Sequence, residues 1–228
     1  MRKHNWERIA AGSGMAFVAL SVAAFLVAPT PPDPDASQQK LILYFLDNAR
    51  EVKASTILFG LALIAFTWFL GSLAAALRDR GEGRLASVAY GGGLLTAGLA
   101  FLSTVITAAL VWRVAIQSPL TLRGLYDVQL LAATVIGFPA AALAYATAIA
   151  SWRTKLFPQW YAPLTGLAAL ALVFGGAALA STGFYAPDGA YSRIVTVIVF
   201  LAWVFVTSGL LVTRLAGDEG KGASAAAA

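Results

Sequence analysis

Charge that could do chemistry gathers at one place between the apolar runs of this chain: Arg113, Arg123, Asp127 and Gln129, with Trp112 and Tyr126 beside them. Arg123 and Asp127 are four residues apart, so on a helix they share a face and can pair. An arginine fork beside a carboxylate at a membrane edge can bind an ion or a polar ligand. It can also simply complement helix ends, with Arg113 at a helix C-terminus and Asp127 near an N-terminus. Dipole complementarity alone accounts for both charges, so a structural role is preferred. The connection 115–124 is short, which predicts an antiparallel hairpin in which Arg113 or Arg123 partners Asp127.

Other chemistry is thinly supplied. The chain has no cysteine and a single histidine, His4, in its N-terminal tail. Haem held by paired intramembrane histidines, thiolate metal sites and quinone-linked disulfide chemistry therefore lack their essential atoms. Gly12-Ser13-Gly14 has no histidine in any span to serve as a base. Asp127 is the one acid placed for catalysis, and a lone carboxylate does little. No enzyme, no cofactor and no metal site is expected.

The elements that must position the cluster follow from composition. Hydrophobic residues make up 59% and charged residues 12% of 228 positions, against about 25% charged in a soluble domain. That polar content cannot solvate a globule of this size. Runs long enough to cross hydrocarbon, about 20 residues each, lie at about 9–28, 54–77, 85–111, 125–150, 164–180 and 194–212. None holds Lys or Arg in its interior. The expected fold is all-α, a polytopic transmembrane bundle of six helices spanning 1–215. The first run exceeds a typical signal-peptide core and leads into Pro29, so an uncleaved anchor is expected.

Of the 16 Lys and Arg, ten fall on the side of the termini and six on the other, which predicts a plasma-membrane protein with both ends cytoplasmic. The formal net charge of +5 does not imply nucleic acid, because the basic residues flank apolar runs and form no patch that tracks phosphates. The outer side carries one sizeable loop, 29–53. Its proline-rich first part, Pro29-Thr30-Pro31-Pro32-Asp33-Pro34-Asp35, is a stiff extended strut. Its second part predicts a short amphipathic helix capped by Ser37, lying on the membrane or over the bundle mouth. The tail 216–228, rich in Ala, Gly and Ser, is expected to be disordered.

Lipid tails are as apolar as leucine, so the helices must associate by close packing at small residues. Gly71 with Ala75, Gly93 with Ala97 and Gly176 with Ala180 supply such pairs, and Tyr90-Gly91-Gly92-Gly93 thins the third helix. Pro139 in Gly137-Phe138-Pro139 cannot donate to the Val135 carbonyl, which predicts a kink in the fourth span.

The segments Glu7-Arg8-Ile9-Ala10-Ala11-Gly12, Tyr44-Phe45, Leu125-Tyr126-Asp127 and Arg153-Thr154-Lys155-Leu156-Phe157-Pro158-Gln159-Trp160 together resemble a family of uncharacterised six-span integral membrane proteins of bacteria. The resemblance covers most of the chain and implies fold and bacterial membrane location, with no activity and no catalytic residues. Lys155 stands where the family pattern carries glycine, which argues against a tight turn there.

The function expected is that of a non-enzymatic structural, lipid-binding or accessory membrane protein, with membrane lipids and a protein partner or second copy as its associates. The alternative is a small-solute or ion pathway. A polar stripe through the bundle would favour the pathway and a dry core the first assignment.

Overall fold

The computed structural model describes residues 2–112 and 114–226, with side chains over 6–112 and 114–214. The protein is an all-helical bundle. Its elements are α1 (Arg2–Val27), α2 (Gln38–Asp47), α3 (Ala49–Asp79), α4 (Gly83–Trp112), α5 (Pro119–Val135), α6 (Gly137–Thr154), α7 (Tyr161–Gly176) and α8 (Thr196–Ala226), with short 3-10 and π turns before α8. Six segments are long and apolar enough to cross a membrane: Trp6–Val27, Ala49–Asp79, Gly83–Trp112, Pro119–Thr154, Tyr161–Ala180 and Tyr191–Arg214. Six crossings put α2 at one end of the bundle and the two ends of the chain at the other.

The spans form a closed ring. α1 packs on α3 and α8, α3 on α4, α4 on α5 and α6, α6 on α7, and α7 on α8. Small residues set the closest approaches. A Cβ on Gly92 of α4 would sit 2.8 Å from the Pro139 carbonyl oxygen and 2.9 Å from the Leu143 nitrogen of α6. Gly137 in turn lies against the Leu172 carbonyl and the Gly176 backbone of α7. Gly93 meets Leu70, whereas Gly71 meets nothing within 4 Å. The expected Gly71 and Ala75 pair therefore faces outward and holds no helix of this chain.

The fourth span breaks where Pro139 removes a donor. α5 ends at Val135 and α6 restarts at Gly137, its first turn closing through Ala140 N to Ile136 O at 3.1 Å. The two halves then diverge: α5 leans on α4 and α2, while α6 lies between α4 and α7.

Two expectations are corrected. The turn after α6 is tight although it carries lysine: Lys155 takes left-handed angles (φ 52°, ψ 34°), and its N–H donates to Ser151 O at 2.9 Å. The helix cap needs that conformation, so the residue bears a cost that glycine would not. Residues 216–226 continue α8 as helix rather than lacking structure, although Gly217, Gly220 and Gly222 are poor helix formers. Residues 227 and 228 of that tail lie outside the described residues.

α2 forms between Ser37, whose hydroxyl accepts from Lys40 N at 3.3 Å, and Asn48. It does not project into water. Leu41 and Phe45 are buried with Ile106, Leu110, Val111, Leu122 and Tyr126, in a cluster separate from the main core. The amphipathic helix is thus docked on the ends of α4 and α5.

Candidate functional site: a strapped cavity at the α2 end

Four prolines within 29–35 leave this segment short of N–H donors, yet its carbonyls still need partners. Side chains from two other elements, α2 and α5, supply them. Tyr44 of α2 donates to Pro29 O at 2.6 Å, Tyr126 of α5 donates to Pro32 O, and Arg123 Nη1 donates to Ala36 O at 2.8 Å. From the start of the sixth span, Arg193 Nη1 reaches Asp33 Oδ1 at 3.3 Å. The proline segment is therefore a strap laid across the α2 end and pinned at four points.

Beneath the strap lies a cavity of about 570 Å³, within the range of about 300–1,000 Å³ typical of small-molecule sites. Its walls come from α1, α3, α4, the α5–α6 break and the sixth span, and Pro29, Thr30 and Pro31 line it at the strap. The floor is aromatic. Phe17 of α1, Phe66 of α3 and Phe200 of α8 pack mutually, with ring centroids 4.8 Å (Phe17–Phe66), 5.7 Å (Phe66–Phe200) and 6.2 Å (Phe17–Phe200) apart. Below that floor the bundle is filled, with Phe69, Leu70, Leu73 and Val204 all buried.

The divergence at Pro139 makes room for this space, since Ile136, Gly137 and Ala140 at the break all line it. A π-helical turn, Tyr191–Val195, starts the sixth span. Ser192, Arg193 and Thr196 reach the cavity from it, and Tyr191 Oη donates to Ala171 O at 3.1 Å, fastening the turn to α7. Polar groups line the wall sparsely, among them Tyr44, Tyr126, Gln129, Ser103 and Thr107. Many wall hydroxyls are spent on their own helix, as with Thr96 to Gly92 O at 2.8 Å and Thr104 to Ala100 O at 2.8 Å. Among the described residues, Arg193 is the one charged side chain on the cavity wall.

No protein-family profile, curated protein or solved structure matches this chain.

The residues singled out from the sequence divide around the cavity. Arg123 Nε lies 3.4 Å from Asp127 Oδ1, but neither side chain lines the cavity, and the role of Arg123 toward the strap was not legible from spacing. Gln129 does line it, and donates to Ser103 Oγ at 3.2 Å, joining α5 to α4. Arg113 lies outside the described residues. Pro139 acts through the break it causes. Arg193, Asp33 and Tyr44 were missed as site residues. The available signal was the proline run itself, whose unpaired carbonyls had to find donors elsewhere in the chain.

Tyr44 sits outside the membrane-spanning segments, and its hydroxyl is pushed up to about 12 by partial burial and by the neighbouring Tyr126. It therefore remains a neutral donor to the strap through the physiological range.

Proposed function

We propose that this protein is a non-enzymatic binding or accessory protein of the bacterial plasma membrane, which receives an apolar or amphipathic molecule in the cavity under the strap. One observation carries this: a large, mainly apolar space beneath the strap, stopped by Phe17, Phe66 and Phe200. A blind pocket suits holding a molecule rather than passing it. The excess of Lys and Arg on the side of the termini supports cytoplasmic ends, which turns the strap and α2 outward. The wall offers hydroxyls, one amide and one guanidinium, and among the described residues no carboxylate or imidazole that could act as a base. Large apolar side chains such as Leu26, Leu95 and Leu167 are exposed on the ring's outside, a surface for lipid, a protein partner or a second copy.

Binding of a solvatochromic apolar dye to protein in nanodiscs tests this. The dye should brighten with wild type, and Ala100→Trp, placing a ring in the cavity beside the floor, should abolish the signal at unchanged helicity. Equal brightening with Ala100→Trp would move binding to the outer surface and defeat the proposal.

A solute pathway is the second reading, favoured by the broken fourth span, since interrupted helices build many transport sites. It requires the aromatic floor to part. Flux in vesicles that vanishes in Ala100→Trp at unchanged folding would favour it over binding.

A further inference from the structure

We propose that the cavity's ligand is an amphiphile with one acyl chain and an anionic head, and that its head takes the Arg193 guanidinium over from Asp33. This deepens the binding function proposed above and rests on it.

The size of the space suits one chain. A volume of about 570 Å³ corresponds to roughly 19 water volumes at about 30 Å³ each. A methylene needs a similar share, so one long chain with its head fits. The walls agree with a chain, since Ala24, Phe59, Leu63, Ala97 and Ala100 line the space.

Charge limits the head. An arginine in a largely apolar wall is costly unless an anion faces it. Its anion here is Asp33, which sits on the strap and is 73% exposed, whereas Arg193 is 28% exposed. Asp33 is thus already largely in water and loses little when released. Its contact uses Nη1, while a guanidinium has five donors in a planar fork. A carboxylate or phosphate entering under the strap can therefore engage Arg193 bidentately. The strap remains seated during this exchange, because Tyr44, Tyr126 and Arg123 hold its carbonyls independently. Asp33 then acts as a built-in competitor, occupying the cation when no ligand is bound.

Displacement of a fluorescent fatty acid from the full-length protein in phosphatidylcholine nanodiscs, at mildly alkaline pH, reads each part. Palmitate and palmitoyl-lysophosphatidylglycerol distinguish a free fatty acid from a lipid-derived source. Monopalmitin supplies the neutral head, and dipalmitoyl-phosphatidylglycerol the second chain. Both single-chain anions should compete at least about tenfold better than monopalmitin, and Arg193→Gln should erase that difference. Asp33→Asn should strengthen the anions and leave monopalmitin unchanged. Equal competition by all three single-chain compounds would overturn the head assignment while leaving the cavity's function intact. Equal competition by the two-chain lipid would overturn the chain count. Weaker anion binding in Asp33→Asn would overturn the competitor role, and a probe that fails to bind wild type at all would remove the underlying function.

Discussion

The bundle on the two sides of the Phe17, Phe66 and Phe200 floor is built from the same residue types to opposite ends. On the terminal side, buried polar groups are paired with one another across helices: Tyr161 Oη with Thr207 Oγ1 at 2.7 Å, Trp203 Nε1 to Thr165 at 3.3 Å, and Ser208 Oγ to Ala11 O at 2.6 Å. On the α2 side, the two halves of the fourth span diverge at Pro139, and Tyr44, Tyr126 and Arg123 hold a strap over a cavity. The contrast separates a half that holds the protein together from a half that is free to hold something else. Hydrogen bonds in the closed half are costly to lose because no water can replace them.

The largest effect should come where helix backbones touch. Gly137→Ala puts a methyl group into the Leu172 carbonyl and the Gly176 backbone, which cannot move aside as a side chain would. A loss of about 3 kcal/mol or more is expected in denaturant unfolding in detergent. Retention of wild-type stability would mean that α6 and α7 are not held this closely.

A matched pair of hydroxyl deletions sharpens the comparison further. Tyr161→Phe in the closed half should cost about 1–2 kcal/mol, because its buried partner is left without that bond. Tyr126→Phe at the strap should cost less, since the Pro32 carbonyl it serves lies at the water-facing end of the bundle. Thermal melts of the two variants side by side decide this. Equal losses would erase the distinction between the halves.

A smaller change of opposite sign is expected at the terminal side. Lys155→Gly relieves a left-handed lysine (φ 52°) and should raise stability by about 1 kcal/mol. A decrease in melting temperature would show that the lysine side chain contributes more there than its backbone strain removes.

The smallest effect is confined to alkaline pH. Tyr44 is raised from 10.0 to about 12 in the folded protein, so it holds its proton more tightly folded than unfolded. Its contribution is complete below pH 10 and is lost as pH rises toward 12. Wild type should therefore lose stability over that window more steeply than Tyr44→Phe. Parallel curves would indicate that the strap's hold does not depend on this hydroxyl.

Much of the fold was legible in the sequence because the signals are local. An apolar run bounded by charge is a span wherever it packs, and Ser37 ahead of Leu41 and Phe45 marks a capped amphipathic helix whether it rests on lipid or on protein. Pro139 removes a donor from any helix that contains it. The site was less legible because it depends on which faces meet. Gly71, Gly91 and Gly92 are alike in sequence, yet only Gly92 meets another backbone, while the other two meet nothing within 4 Å. Arg123 and Arg193 both reach the strap, yet Arg193 alone lines the cavity. Composition and periodicity thus determined that the chain crosses a membrane six times, since transfer free energy is a property of each segment by itself. Where the helices part, what the strap covers and which cation faces the empty space were decided by packing, since they depend on the relative placement of segments far apart in the chain.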